Sequence, residues 1–449
     1  MNSKKNPIVF GTLLLSFSGL ICRGIGFIYH LFIARTFGEE AMGIFQLTSP
    51  IFMLAFSFTC AGFQTAISKF TASCLGQNQK KKATLYLLCG TAISGSISLI
   101  YSFIIFYFAD FIAITLLKES QCASLLKICA LSFPLSTLHS CLNGYFYGTK
   151  NTKVPAFTQI AEQLVRVGSV LFIYYILNEQ NEYPSITITC IGLVLGELIA
   201  CILSLFYYMV INHTTCNSKQ VTSHQTSNSM LHKIPKWEIS KDILTFSLPL
   251  IVNRVLINIL QSYETISLPT ALRTYGYSSK ASLSIYGVLT GMAMNLVLFP
   301  STFTNSFSVL LLPEVSEAHS KNHFSKLKST IQRTIIFSLL LGFICTSAFF
   351  CFGNIFGELL FQSTLAGHFI RILSFLCPFL YLRTTLTSIL NGLQKTKITL
   401  LLNLASISLR LISILFFVPN IGIYGYLYGL LLSEALSSCI CLLFLKVFL

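Results

Sequence analysis

Long apolar runs alternate with short polar connections along the chain. Because about 20 apolar residues suffice to cross the hydrocarbon core of a bilayer as a helix, each run predicts one membrane span. The runs are too long, and alternate too little, to be strands. They lie at 8–34, 41–67, 83–109, 121–147, 154–177, 186–211, 242–268, 281–312, 330–352, 366–392, 398–419 and 421–445. The pattern predicts an all-α polytopic membrane protein with about twelve transmembrane helices.

The composition agrees with this pattern. The chain has 449 residues, of which 54% are hydrophobic and 10% are charged, and its mean hydropathy is +0.73. A soluble protein of ordinary composition has about 25% charged residues. So much apolar side chain predicts contact with lipid rather than a single water-soluble core.

Basic residues between the runs predict the orientation in the membrane. Nineteen lysines and arginines lie at the termini and in the connections that follow even-numbered helices, whereas the opposite connections carry only Arg35, Lys118, Arg273 and Lys280. Connections rich in lysine and arginine stay in the cytoplasm. We therefore predict a multi-pass protein of the cell membrane with both termini in the cytoplasm.

The longest polar stretch, 212–240, divides the chain into two parts. It is rich in Ser, Thr, Asn and Gln and poor in apolar residues, which is typical of a flexible linker. Six predicted helices precede it and six follow it. The sequence predicts an N-terminal six-helix lobe (1–211), a cytoplasmic linker (212–240) and a C-terminal six-helix lobe (241–449).

The two predicted lobes repeat short motifs in the same order, as in many transporters built from related halves. A basic residue precedes a proline by seven residues, LNG follows, a lysine precedes an arginine by thirteen residues, and a six-residue apolar motif ends in glutamate. The matches are Lys127 to Pro134 and Arg371 to Pro378, LNG at 142–144 and 390–392, Lys153 to Arg166 and Lys397 to Arg410, and GLVLGE at 192–197 with GLLLSE at 429–434. The pattern predicts a duplicated six-helix unit.

Four arginines lie deep within predicted spans, namely Arg23, Arg166, Arg254 and Arg410. Thirteen helical residues cover roughly 20 Å, so Arg166, thirteen residues after Lys153, lies well inside the membrane. An arginine at mid-bilayer costs about 2.5 kcal/mol or more, which disfavours contact with lipid. Because guanidinium groups match phosphate oxygens two bonds at a time, we expect these arginines to bind a pyrophosphate in a shared hydrated cavity.

Carboxylates in the same spans leave a second interpretation open. Glu162 lies one turn before Arg166, so the two could simply form a structural ion pair. Glu197, Glu264 and Glu434 could likewise be counter-charges, or could couple transport to Na⁺ or H⁺. The role of Arg383 stays open, and Pro300 predicts a kink that could serve as a hinge.

Several other classes of function are disfavoured. The net charge of +15 is spread over short loops rather than gathered in a patch with aromatic residues, so we expect no nucleic-acid binding. The 15 cysteines lie mostly in apolar runs without a C-x-x-C pair, and no phosphate-binding P-loop motif occurs. We predict no metal, no cofactor and no enzymatic activity.

Three stretches carry a resemblance to a known group. CRGIGFIYHLFIARTFGEEAMGIFQL (22–47), NGYFYGTKNTKVPAFTQIAEQLVRV (143–167) and LFPSTFTNSFSVLLLPEVSEA (298–318) resemble the multidrug/oligosaccharidyl-lipid/polysaccharide exporter superfamily. Within it, the chain is similar to the stage V sporulation protein B-like branch of polysaccharide-precursor flippases and, in outline, to lipid II flippases. The likeness covers nearly the whole chain.

The resemblance implies two six-helix lobes around a central cavity and movement of undecaprenyl-pyrophosphate-linked sugars between leaflets. It also implies that Arg23 occupies a cavity position on the first helix. The chain departs from the lipid II flippases at Tyr29, where they have a second basic residue, and at 49–56, where they have a basic pair. These departures favour the sporulation branch.

The leading hypothesis is a flippase for a polyprenyl-pyrophosphate-linked saccharide, a cell-wall, spore-cortex or polysaccharide precursor. We expect it to work as a monomer among membrane lipids, with cell-wall synthesis enzymes as candidate partners. Two alternatives stay open: an antiporter of drugs or cations with the same fold, for which an acidic cavity is expected, and a non-transporting scaffold for wall synthesis.

Overall fold

The computed structural model describes residues 7–181, 184–217, 236–305, 308, 311, 315, 324–393 and 395–448. Throughout these residues the regular structure is helical. The α-helices are α1 (Pro7–Phe56), α2 (Gly62–Gly76), α3 (Lys80–Tyr107), α4 (Ala109–Phe111), α5 (Cys122–Ala130), α6 (Ser132–Gly148), α7 (Lys153–Glu179), α8 (Ile188–Asn217), α9 (Lys236–Tyr275), α10 (Ser279–Gly287), α11 (Met294–Leu298), α12 (Phe324–Phe361), α13 (Thr364–Leu373), α14 (Cys377–Gly392), α15 (Thr396–Ile412), α16 (Val418–Ile421) and α17 (Ile423–Phe448). Short π-helical turns lie at Ser57–Ala61, Ile112–Leu116, Val288–Ala293 and Ser413–Phe417.

The described helices are suited to crossing a membrane. Ten of them are long and apolar enough, or eleven if the bent pair of α5 and α6 counts as one span. The first of these stretches, Leu13–Gly76, runs from α1 through the π-helical turn Ser57–Ala61 to the end of α2 and has 64 residues. Its helical length of about 96 Å would suffice for two crossings. The chain turns within it at Gly38 (φ 80°, ψ −176°), a conformation that glycine adopts without steric cost. The predicted all-α, multi-pass membrane fold is confirmed.

The chain packs into two compact units. Unit 1 comprises Met1–Cys22, Pro50–Thr115 and Ser120–Ile259, and unit 2 comprises Arg23–Ser49, Leu116–Glu119 and Leu260–Leu449. Helices α1 and α9 therefore contribute residues to both units. The predicted lobe boundaries at 1–211 and 241–449 stay a prediction, and residues 218–235 of the predicted linker lie outside the described part of the chain.

Unit 1 is held together by close helix packing. Gly144 and Gly148 of α6 carry no side chain where α6 meets the backbone of α2 at Gln64 and Ser68, so the two helices approach closely. Apolar side chains from α2, α3, α6 and α9 fill the space beside them. The core includes Phe63, Ile67, Leu87, Phe146 and Ile243.

In unit 2, close contacts of the same kind hold the first helical segment, Arg23–Ser49, against its neighbours. Gly43 of α1 lies against the backbone of α10 at Leu283, and the Glu39 carboxylate accepts hydrogen bonds of 2.5 Å from Ser284 and Ser363. These contacts attach the segment Arg23–Ser49 to α10 and to the start of α13. The core of α14, α15 and α17 includes Leu386, Ile389, Leu390, Leu402 and Cys441.

Candidate functional site

A charged network lies within unit 1, on α7. Glu162 and Arg166 are four residues apart, so both project from the same face of the helix, and the Arg166 guanidinium donates to the Glu162 carboxylate. The side chains are 22% (Arg166) and 16% (Glu162) exposed. The local pair that the spacing predicted is therefore present.

Two further side chains complete this network. Helix α8 packs tightly on α7 because Gly192 and Gly196 present no side chain there, and this places Glu197 beside the pair. His139 of α6 directs its Nδ1 at the Glu197 carboxylate, with 3.6 Å between Nδ1 and Oε2. On the other side of the ring, His139 Nε2 lies 2.8 Å from Asn143 Nδ2.

One atom from each of His139, Glu162 and Glu197 lies within 4.8 Å of the other two. Arg166, however, occupies the Glu162 carboxylate. An ion would have to displace a guanidinium from a charge-assisted hydrogen bond. We therefore describe these groups as a charge network rather than as a metal centre.

Unit 2 has a network of its own, centred on Arg410 of α15. Its Nε and Nη2 atoms donate to the two oxygens of Glu264, at 2.7 and 3.0 Å, which is a bidentate pair between α15 and α9. Tyr426 donates to the same carboxylate at 2.9 Å, and Arg410 Nη1 lies 3.4 Å from Glu434 Oε1. The Glu264 carboxylate is thus held by three donors from two other helices.

Arg383 of α14, whose role the sequence left open, belongs to this network. It donates to the Glu434 carboxylate, to Asn403 Oδ1 at 2.8 Å and to Ser406 Oγ at 3.2 Å. The unit 2 network therefore has two guanidinium groups and two carboxylates. Its formal charges cancel.

A polar cavity of about 520 Å³ lies beside this network, within unit 2. Arg23 and Arg383 line it together with Glu434, and most of the remaining lining side chains are neutral hydrogen-bonding groups. These are Ser301, Asn305, Thr384, Thr387, Asn391, Thr399 and Asn403, with Leu298 and Leu380 as the apolar members. Neutral polar residues of this kind are weak signals in a sequence. Asn391 lies in the repeated LNG motif, and Ser301 and Asn305 lie in the stretch 298–318 that carries the family resemblance.

The four predicted arginines differ in their surroundings. Arg166 and Arg410 are ion-paired, whereas Arg23 and Arg254 are exposed and make no salt bridge within the described residues. Arg23 Nη1 has a long contact of 3.5 Å with Thr302 Oγ1. Arg254 lies in the part of α9 that belongs to unit 1. Binding of pyrophosphate by the four arginines stays a prediction.

Pro300 lies where helical geometry is interrupted. Helix α11 ends at Leu298, and helix resumes at 301. The amide groups of Thr302 and Phe303 donate to the carbonyl groups three residues earlier, at 3.1 Å each, which is the pattern of a tighter turn. The break predicted for this proline is present, and its action as a hinge stays a prediction.

Together, these helices define a multi-pass membrane protein with the fold of a transporter. The chain is similar to a solved multidrug resistance MATE family transporter of the MOP superfamily in an inward-facing conformation. The TM-score is 0.72 at 14% identity, over 97% of each chain. At this identity the likeness shows the fold alone.

The chain belongs to the polysaccharide biosynthesis protein family, whose model matches residues 8–313. The MatE family model matches 255–416. Stage V sporulation protein B of Bacillus subtilis is 28% identical over 423 residues, covering 94% of this chain and 80% of the relative. Lipid II flippase MurJ of the same organism is 20% identical over 345 residues, covering 75% and 62%. The resemblance to this exporter superfamily is confirmed, and the chain is a membrane flippase or transporter.

Proposed function

We propose that this protein moves a polyprenyl-pyrophosphate-linked saccharide across the cytoplasmic membrane by alternating access. The observation that supports this proposal most directly is the unit 2 cavity, which is lined by Arg23, Arg383 and seven neutral polar side chains. Guanidinium groups suit a pyrophosphate, and hydroxyl and amide groups suit the hydroxyl groups of a sugar.

Arg23 is the residue we assign to direct contact with the pyrophosphate. Its guanidinium lines the cavity and makes no salt bridge within the described part of the chain, so its charge is available to a ligand. Arg383 already donates to Glu434, Asn403 and Ser406, so it holds the wall of the cavity beside Arg23 in a fixed position. Arg410 does not line the cavity, and we assign it to holding Glu264 and Glu434 in place.

Arg166 and Arg254 belong to unit 1, and we propose that both act in substrate movement. Arg254 is exposed and so could contact an anion directly, whereas Arg166 is held by Glu162. No bond in the substrate is made or broken in this process, and no cofactor is required. The relatives named as a sporulation protein and as a lipid II flippase support a lipid-linked substrate.

Cation antiport fits the unit 2 cavity less well. Two guanidinium groups and one carboxylate line that cavity, so it attracts anions more strongly than cations. A polar cavity inside a membrane protein is costly, because each buried polar group there needs a hydrogen-bond partner. The scaffold hypothesis gives no reason for such a cavity.

The proposal is tested with the purified chain in liposomes that contain a polyprenyl diphosphate bearing one fluorescently labelled sugar. A membrane-impermeant quencher added outside reports how fast the labelled lipid changes leaflet. Arg23→Gln should slow this exchange by roughly tenfold or more, because a hydrogen bond to a charged group contributes about 1.5–3 kcal/mol. Arg333→Gln is the matched control, since Arg333 is exposed on α12 and does not line the cavity.

An unchanged rate in Arg23→Gln would contradict the role of Arg23. If the wild-type chain left the labelled lipid in place but extruded a cationic dye, the antiporter would replace the flippase. If the wild-type chain moved neither compound, the result would contradict the flippase proposal and favour the scaffold hypothesis.

A further inference from the structure

The unit 1 network lacks one positive charge. Among the described residues it contains two carboxylates, Glu162 and Glu197, but only one guanidinium, that of Arg166. An unpaired charge deep in a membrane protein is costly, because the hydrocarbon around it does not solvate the charge. The unit 2 network does not have this problem, because its two arginines balance its two glutamates.

His139 is placed to supply the missing charge. Its side chain is only 9% exposed, and Nδ1 points at Glu197 Oε2 from 3.6 Å. The imidazole group is neutral with one N–H and positively charged with two, and histidine changes between these forms around neutral pH. A second proton on His139 would bring the network to zero net charge.

Two unsatisfied acceptors in the network match a doubly protonated ring. Glu197 Oε2 and Asn143 Oδ1 are both buried without a hydrogen-bond partner among the described residues. His139 Nδ1 faces the first. A half-turn of the Asn143 amide would present Oδ1, in place of Nδ2, to His139 Nε2 at 2.8 Å. An imidazolium can then donate to Asn143 Oδ1 and attract the Glu197 carboxylate across 3.6 Å, whereas a neutral ring has one N–H for the two acceptors.

The other titratable groups near the network do not provide a positive charge. Cys22 lies near Glu162 and Arg166, and Cys60 and Cys201 lie near Glu197. Thiols are neutral or negative, so they leave the balance unchanged or worsen it. Arg166 is engaged with Glu162 on its own helix. Of the described groups around Glu197, His139 is therefore the one that can add positive charge.

We propose that His139 and Glu197 form a proton-binding site, and that the proton held there is the coupling ion of transport. The second half of this statement rests on the proposed function, whereas the first does not. With the proton bound, the network is neutral and tolerates a dry environment. Without it, the network carries one negative charge and requires water or a cation. A change in the hydration of unit 1 would therefore bind or release a proton.

The proton site is tested without any substrate. The full chain, with ¹⁵N-labelled histidine, is placed in lipid nanodiscs, and the imidazole nitrogen signals are followed by NMR from pH 5 to pH 9. His139→Gln identifies the signal of His139. In Glu197→Gln, the pH dependence of the His139 signal should shift measurably from that of the wild type, because the carboxylate that faces Nδ1 from 3.6 Å has lost its charge.

His368→Gln is the matched control. His368 lies in unit 2, where its Nε2 is 3.0 Å from the hydroxyl group of Tyr424, so this variant should remove one signal and leave that of His139 unchanged. The proton site is overturned if His139 keeps a single proton over the whole pH range, or if Glu197→Gln does not change its titration. It is also overturned if the signal responds to sodium chloride at fixed pH and not to protons.

Coupling is tested separately in liposomes with the fluorescent polyprenyl diphosphate sugar. A pH gradient should change the rate of leaflet exchange in the wild type, and the ratio of rates with and without the gradient should fall to about one in His139→Gln. Exchange that ignores the gradient in the wild type overturns the coupling. If the NMR result is as expected but the wild type moves no labelled lipid, the flippase proposal fails and the proton site stands.

Discussion

The charged networks of units 1 and 2 occupy matching places in the sequence repeat but are built differently. Arg166 corresponds to Arg410, and Glu197 to Glu434. In unit 1 the arginine has its acid partner on its own helix, at Glu162. In unit 2 the position four residues earlier is Ser406, and the acid comes instead from α9.

This difference gives the two networks different properties. Unit 2 pairs two arginines with two glutamates, and its contacts join α9, α14, α15 and α17. Unit 1 has one arginine, two glutamates and a histidine, so its charge depends on whether the histidine is protonated. Three residues before the repeated LNG motif, unit 1 has His139 where unit 2 has Thr387. The comparison indicates a network in unit 2 whose charges are balanced by two arginines, whereas the balance in unit 1 depends on the proton that we propose for His139.

The largest effect should follow from breaking the unit 2 network. Glu264→Gln removes the charge that faces Arg410 in a bidentate pair whose side chains are 10% and 13% exposed. Removing one partner of a buried ion pair costs about 3–5 kcal/mol, because the other charge is left uncompensated. The melting temperature of the purified chain in detergent should therefore fall clearly.

Two comparisons control this result. Glu358→Gln, at an exposed position on α12, should leave the melting temperature nearly unchanged. The double variant Glu264→Gln with Arg410→Gln should be less damaging than the sum of the single changes, because neither charge is then left alone. A melting temperature of Glu264→Gln that equals the wild type would show that the pair does not fix the network.

A smaller effect should follow from separating α7 and α8 in unit 1. Gly192→Ala places a methyl group against the Arg166 carbonyl oxygen and the side chain of Val170, where there is no space for it. Overpacking of this kind costs about 1–3 kcal/mol. Because α8 carries Glu197, the helix shift should also weaken the interaction between Glu197 and His139.

Melting temperature and the NMR signal of His139 report these two consequences. Gly95→Ala on α3 is the control, since nothing lies within 4 Å of the added methyl group. If Gly192→Ala behaved like Gly95→Ala in both measurements, close packing of α8 on α7 would not be what places Glu197.

The sequence predicts those features that depend on neighbouring residues. Run length predicts the spans, because a helix needs a fixed number of residues to cross a bilayer. The four-residue spacing of Glu162 and Arg166 predicts their ion pair. Arg410 and Glu264 are 146 residues apart, so their pairing depends on how helices pack and has no local signal.

The same limit applies to the unit 2 cavity. Asn305, Thr384 and Asn403 are ordinary polar residues within apolar helices, and only packing brings them to one surface. The sequence leaves the role of Arg383 open, because its partners Asn403 and Glu434 lie on other helices. The sequence repeat is most informative where both halves have the same residue, as at Arg166 and Arg410, because it then predicts equivalent positions in the two halves.

The smallest effect should come from Glu162→Gln in unit 1. Glutamine keeps an oxygen that can accept from Arg166, and the change removes the acidic excess of the network. If His139 holds a second proton, as proposed, it can lose that proton in this variant, and the single charge of Arg166 then balances that of Glu197. Because Arg166 keeps an acceptor and no charge is left uncompensated, the cost should be about 1 kcal/mol, well below that of Glu264→Gln. Denaturation of both variants side by side at pH 6 and pH 8 measures this difference. If Glu162→Gln lost the same free energy of unfolding at pH 6 as at pH 8, the charge of the unit 1 network would not depend on pH. Its second carboxylate would then be balanced by something other than a proton.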